Sequence, residues 1–202
     1  MSPQNPRTDS PHLLLVDDDR LVLSMLALAL THAGYHITTA ESTEDAESYL
    51  CEGLQRPQLV ILDVQMPGQN GLILAQRLRA LDHIPFMMLS AYSDAATVQK
   101  AIDQGALGYA VKPVDPVQLI PAIEAALARA NELQELRTTR QQLQTALDNE
   151  RDINLAVGIT MMQHRLSRKA AFEMLRQGAR RQQRKLAEVA QGIIQATETL
   201  VL

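Results

Sequence analysis

The sequence predicts an α/β protein: a doubly wound, five-stranded parallel sheet, followed by a helical coiled-coil linker and a small three-helix domain. Three observations carry this. Short apolar runs alternate with helix-like stretches five times over roughly the first 120 residues, the pattern of a parallel sheet with helices on both faces. From Val117 onward helix breakers almost vanish, with no proline in 122–163 and Gly158 the sole glycine there. Charge also changes sign along the chain. Residues 1–128 hold 7 Lys+Arg against 15 Asp+Glu, and residues 129–202 hold 12 against 8. An acidic front and a basic rear suggest two modules with different partners.

Each element has a local cause. HLLLVD at 12–17 is an apolar run closed by three acids, too short for a helix, so it reads as a buried strand. Residues 20–33 are too long and too rich in Leu and Ala for a strand and read as helix, stopped by Gly34. Tyr35 to Ala40 is a second strand, and Ser42 caps a helix reaching Leu54. Leu59 to Leu62 is a third strand, ending at Asp63. The loop VQMPGQNG follows, with Pro67, Gly68 and Gly71 as breakers. Leu72 to Leu81 returns to helix. Pro85 to Leu89 is a fourth strand ending at Ser90, and Ser93 or Asp94 caps a helix that Gly105 stops. Leu107 to Val111 is a fifth strand ending at Lys112-Pro113, and Asp115 caps the next helix. The resulting division is a flexible N-terminus (1–11), an α/β domain (12–128), a helical linker (129–150) and a three-helix domain (151–202).

Apolar positions Leu119, Ile123, Ala126, Ala130 and Leu133 are followed by a second series, Leu136, Leu143 and Leu147, with Arg140 at the skipped place. These 3-4 spacings suit a coiled-coil seam with a phase break near Leu133–Leu136, pairing two chains into a homodimer or folding back on its own domain. In the rear, Ile153, Ala156, Val157, Ile159, Phe172, Leu175, Leu186, Val189 and Ile193 are the expected core, and Ser167 is the expected cap of the middle helix. Basic residues concentrate at Arg168, Lys169, Arg176, Arg180, Arg181, Arg184 and Lys185. A solvated helix face and an anion-binding surface both fit such a run.

Composition narrows the function. A hydrophobic share of 46% is enough for a core. The single cysteine, Cys51, excludes a disulfide framework and a cysteine metal site. Residues 1–11 carry no apolar signal segment, and no apolar run approaches the roughly 20 residues of a membrane span. A cytoplasmic setting without membrane association is expected. The rear has no zinc pattern, Gly-rich phosphate loop or nucleophile triad.

In open α/β sheets, ligands sit beyond the carboxyl ends of the strands. Asp17, Asp18, Asp63, Ser90 and Lys112 stand at those ends. Clustered carboxylates call for a cation, and an all-oxygen set suits Mg²⁺. A carboxylate is also a nucleophile toward phosphorus, with a lysine and a metal neutralising the transferred group. Taken singly, Asp18 or Asp19 suits a helix cap, Asp63 a loop acid, Ser90 a solvated hydroxyl and Lys112 a surface charge. Their joint placement at one sheet edge favours a site.

The motifs LLLVDDD, VILDVQMPGQNG, FMMLSAY and GYAVKP, in this order and spacing, resemble the receiver domain of bacterial two-component response regulators, a flavodoxin-like fold. The resemblance implies Asp63 as phosphoacceptor, Asp17 and Asp18 as the acidic pair for Mg²⁺, and the Gln65 backbone carbonyl as a further ligand. It implies Ser90 as the switch hydroxyl, Tyr109 as the switch aromatic, Lys112 as the phosphoryl contact, a cis Lys112–Pro113 bond, and a sensor histidine kinase as phosphodonor. The stretch AVGITMMQHRLSRKAAFEMLRQGARRQQRKLAEVAQGII is similar to the ANTAR domain, an RNA-binding module of transcription antitermination regulators. It departs from the family at Arg165, where glycine is usual, at Thr160, where an apolar residue is usual, and at Gly178, where alanine is usual. This resemblance implies binding to paired hairpin RNA loops. With Phe172 assigned to the core, base stacking falls to arginine planes. Competing outputs are a DNA-binding helix-turn-helix, with Gly178 in the turn, and a protein-interaction module. Enzymatic turnover is not expected.

Overall fold

The computed structural model describes residues 10–53, 55–66, 71–91 and 95–199. Residues 1–9, Leu54, Pro67, Gly68, Ser93 and Asp94, for which the sequence carries expectations, lie outside them. The chain divides into two compact units, residues 1–134 and 135–202.

In the first unit, strands β1 (His12–Val16), β2 (His36–Ala40), β3 (Leu59–Asp63), β4 (Phe86–Ser90) and β5 (Tyr109–Val111) form one parallel sheet in the order β2-β1-β3-β4-β5. The three central strands are buried over all five residues, which is why they read as unbroken apolar runs. The edge strands are only partly covered, and β5 is three residues long. Alternate strand residues go to opposite faces. Leu14, Val16, Val60, Leu62, Phe86 and Met88 pack with residues of α2 (Thr43–Glu52), α3 (Gly71–Arg77) and α4 (Ala95–Asp103). Leu13, Leu15, Leu59, Ile61, Met87 and Leu89 pack with Leu23, Leu26 and Leu30 of α1 (Arg20–His32) and with Leu119, Ile123 and Ala126 of α5 (Pro116–His164).

Helix ends follow local chemistry. The Asp19 carboxylate accepts from the N–H groups of Leu21 and Val22, and Ser42 Oγ accepts from Asp45 N–H. Asp115 Oδ1 accepts from Val117 N–H at 2.9 Å. Gly53, with φ 65°, closes α2 in the left-handed region that favours glycine. One expected helix differs. The segment after α3 widens into a π-helical turn, Leu78–Asp82, closed by His83 in a left-handed conformation. Ile84 N–H donates to the Leu78 carbonyl at 3.0 Å, and the wide turn keeps both side chains in the core.

α5 is one helix of 49 residues, so the first of the three expected rear helices is its C-terminal end. The phase break in its apolar pattern has a physical meaning. Leu119, Ile123 and Ala126 are buried against the sheet, whereas Leu136, Leu143 and Leu147 are about 60% exposed. In the second unit, α5 ends at His164, and Arg165 takes φ 54°, the conformation for which glycine is the easier residue. Then come α6 (Arg168–Arg181), capped by Ser167 Oγ, and α7 (Leu186–Thr199). Ala156, Val157, Ala171, Leu175 and Ala190 are its buried centre, with Ile153, Met161, Leu166, Leu186 and Ile193 against it.

Three expected core residues fall outside this cluster. Ile159 and Val189 are half-buried, and Phe172 is 38% exposed. The buried centre is small, three alanines with Val157 and Leu175, and Phe172 lies beside it rather than in it. Thr160, the polar departure on α5, is buried and satisfied by donating to the Ala156 carbonyl at 2.8 Å. No helix among the described residues is long and apolar enough to cross a membrane.

Candidate functional site

The parallel register brings the ends of β1, β3, β4 and β5 to one edge. Carboxylate oxygens of Asp17, Asp18 and Asp63 lie within 4.8 Å of one another, with Asp17 and Asp63 buried and Asp18 exposed. Asp19 is not part of this group, because its carboxylate caps α1. Lys112 Nζ reaches in from the end of β5. It donates to Asp63 Oδ2 at 2.7 Å and lies 2.6 Å from Asp17 Oδ2. The contact to Asp17 is an ion pair at an angle that leaves this buried oxygen without an aligned hydrogen bond. The other oxygens are held by backbone: Asp17 Oδ1 accepts from Asp19 N–H and Asp63 Oδ1 from Gln65 N–H, each at 3.0 Å.

Burial pushes the Asp17 carboxyl above its ordinary range, and the close Lys112 ammonium and the Asp19 N–H only partly offset this. For Lys112 burial acts downward, but hydrogen bonds and charge from Asp17 and Asp63 outweigh it and raise the ammonium above its ordinary value. Two buried carboxylates sharing one lysine, with an orphaned oxygen and an exposed third carboxylate beside them, form a site with acceptor capacity left for a hard cation.

Ser90 is fully buried at the end of β4, and its carbonyl accepts from Lys112 N–H at 2.8 Å, which ties the lysine's backbone to the neighbouring strand. Tyr109 is half-buried at the start of β5 and packs against the core cluster on that face. The Lys112–Pro113 peptide bond is cis. Gln65 is exposed, two residues beyond the Asp63 backbone.

Sequence reasoning gave Gly71 only a loop role. It starts α3 directly against the acidic edge, and a Cβ there would lie 2.1 Å from the Asp63 carbonyl oxygen. A glycine at the mouth of a helix, just after a loop that follows an acid-tipped strand, was the available signal.

In the second unit, Arg168, Lys169, Arg176, Arg180 and Arg181 lie on α6, and Arg184 and Lys185 lie in the turn leading to α7. All are exposed. Arg168 donates to Asn154 Oδ1 at 3.0 Å, Arg176 pairs with Glu173 at 3.2 Å, and Arg184 pairs with Glu188 at 3.5 Å. Such exposed pairs are weak and are readily exchanged for a polyanion.

The family model of the response regulator receiver domain matches residues 13–124, and that of the ANTAR domain matches residues 141–194. The chain belongs to the response regulators with an ANTAR output domain. It is 30% identical over 199 residues to the transcriptional regulatory protein PdtaR of Mycobacterium tuberculosis, covering 96% of this chain and 97% of that protein. It is 40% identical over 119 residues to the transcriptional regulatory protein AfsQ1 of Streptomyces coelicolor, covering 59% of this chain and 52% of that one. Among solved structures, the chemotaxis response regulator CheY4 of Vibrio cholerae superimposes with a TM-score of 0.54 at 26% identity, over 58% of this chain and 99% of that one. The receiver domain implies a histidine kinase as phosphodonor, and the ANTAR domain implies RNA as ligand.

Proposed function

We propose that the chain is a phosphorylation-gated response regulator that binds hairpin RNA and promotes transcription antitermination. The observation that carries the gate is the Asp63 carboxylate at the end of β3, held by Lys112 at 2.7 Å beside Asp17 and Asp18. Asp63 is the phosphoacceptor. One of its oxygens attacks phosphorus, forming the O–P bond as the P–N bond to the kinase histidine breaks, and the imidazole leaves. Asp17, Asp18, Asp63 and the Gln65 carbonyl would hold Mg²⁺. When bound, the metal supplies neutralisation of charge on the phosphoryl oxygens.

Lys112 is already paired with Asp63 and keeps its ammonium on the new phosphoryl group. Phosphorylation adds about two negative charges and strong acceptors. Ser90 then donates to a phosphoryl oxygen, and Tyr109 turns inward beside the displaced β4 end. The face made of α4, β5 and the start of α5 changes shape.

The basic residues of α6 and the α6–α7 turn contact RNA phosphates, which makes affinity steeply salt-dependent. Leu136, Leu143 and Leu147 seat a second copy along the middle of α5, and a dimer presents two ANTAR domains to two RNA loops. The protein acts in the cytoplasm and does not catalyse turnover.

The test is RNA binding to a probe with two closely spaced hairpins, with and without an acyl-phosphate donor and Mg²⁺, using Asp63→Ala as control. Tighter binding only with phosphorylatable Asp63 supports the gate. Equal binding in all states removes the gate and leaves the RNA role. Binding to duplex DNA alone, or to neither, refutes the reading.

A further inference from the structure

We infer that Phe172 is a base-stacking residue of the ANTAR domain, set in its basic face to take an unpaired base of the RNA loop; this rests on the RNA-binding reading above. Phe172 is the only Phe, Tyr or Trp after Tyr109, and the unit's other ring is the His164 imidazole at the end of α5. It lies outside the buried cluster and is 38% exposed. A lone exposed apolar residue is ordinary and means nothing by itself. The surroundings of this one are not ordinary.

On α6 the buried row is Ala171, Leu175 and Ala179. The row one residue further on, about 100° around the helix, is Arg168, Phe172, Arg176 and Arg180, with Lys169 beside it. The ring therefore has a cation one turn before it and another one turn after it. The Lys169 ammonium and the Arg180 guanidinium have no partner among the described residues. The other exposed apolar residue of α6, Met174, shows the contrast. It is 44% exposed, and its neighbours one turn away are Ala170 and Gly178, with no charge.

The charge identifies the occupant. A second copy of the chain would bring this cationic row against itself, so like charges oppose that packing. A membrane-type or purely apolar partner would bury four cations, of which only Arg176 has a carboxylate partner. A flat apolar ring among cations matches a ligand that carries flat π faces on a polyanionic backbone, with the faces free. In a duplex the bases are stacked on each other. In a hairpin loop they are splayed and available, and aromatic side chains are their usual platform. Because the ring is partly buried, its position is fixed before RNA arrives, which lowers the ordering cost of binding.

The experiment uses the full chain, phosphorylated and unphosphorylated, and the two-hairpin RNA. Wild type is compared with Phe172→Leu, which keeps apolar bulk but removes the π face, and with Phe172→Tyr, which keeps the ring. The leucine variant is expected to bind about 5- to 150-fold more weakly. Its dependence on salt should stay that of wild type, since no phosphate contact is lost. The tyrosine variant should bind like wild type, and both variants should melt within a few degrees of it. Ultraviolet cross-linking should join residue 172 to a loop nucleotide. Equal affinity of wild type and Phe172→Leu overturns the inference while leaving the RNA reading intact. So does a loss that comes with a lower melting temperature or a changed oligomeric state, because Phe172 is then a packing residue. Absence of any RNA binding by wild type overturns both.

Discussion

Substituting Gly71 by alanine tests how tightly the fold holds Asp63, the proposed phosphoacceptor. A Cβ at this position would meet the Asp63 carbonyl oxygen at 2.1 Å, the Asp63 carbonyl carbon at 3.2 Å and the Val64 Cα at 3.3 Å. Ordinary contact begins at 3.4 Å, so α3 and the end of β3 must separate by more than about 1 Å. No flexible side chain can absorb this, because all three atoms are backbone. Overpacking of this size costs roughly 1–3 kcal/mol of stability. The larger effect is on position. Asp63 is held between Lys112 and the Gln65 N–H, both near 3 Å or shorter, and a displacement of about 1 Å at a reacting group is worth on the order of a hundredfold in rate. Gly71→Ala should therefore melt several degrees lower and incorporate phosphate from an acyl-phosphate donor about a hundredfold more slowly, as read by mass spectrometry over time. An alanine variant that phosphorylates at the parent rate with unchanged stability would refute the close approach and the argument built on it.

Lys112→Ala leaves two nearly buried carboxylates without their shared cation, so the apo protein should lose roughly 3–5 kcal/mol; Mg²⁺ should raise its melting temperature more than that of wild type, and an equal rise would count against the shared-charge account. His12 is buried at the start of β1, and burial, then the charge of neighbouring His36, holds its imidazole below the ordinary pKa, with the Arg56 backbone opposing. The unfolded chain thus binds this proton first as pH falls below about 6.5, so urea stability should drop on acidification through that window; His12→Gln should flatten the slope, and an unchanged slope removes His12 as its source. Leu143→Lys, on the exposed stripe of α5, should shift sedimentation toward monomer with melting within about 0.5 kcal/mol of the parent; a dimer that persists means the seam lies elsewhere. Leu175→Ala, in the small core of the rear unit, should cost about 2–5 kcal/mol of that unit's stability, seen as early loss of helix signal in circular dichroism while acyl-phosphate incorporation at Asp63 continues.

The sheet was legible because its three central strands are covered on both faces. Such strands read as apolar runs, and their ends are marked by the first polar residue, which is how Asp17, Asp63 and Ser90 stood out together. Lys112 was legible as the first charged residue after the short apolar run of the edge strand β5. Gly71 was not, since what makes it matter is a distance to the Asp63 backbone that no spacing encodes. The π-helical turn at Leu78–Asp82 was hidden because an extra residue per turn leaves the apolar pattern nearly intact. Phe172 was misplaced because a residue adjacent to the buried row of a helix satisfies an apolar periodicity as well as one inside it. Only the buried set of the rear unit, with Ala156, Ala171 and Ala190 at its centre, shows that the ring lies beside it.

The short edge strand has a consequence for how the molecule exchanges its amide hydrogens. Detaching β1 or β3 exposes five buried residues in either case and approaches global unfolding. Detaching β5 breaks a register of three pairs, Met88 with Tyr109, Leu89 with Ala110 and Ser90 with Val111. Its residues are already half in water. The opening free energies are thus graded across the sheet, lowest at the strand that begins with Tyr109 and runs directly into Lys112. Protection factors should fall from β3 to β5, so the chain can rearrange the edge strand that leads into Lys112, the lysine paired with Asp63, while the rest of the sheet stays closed.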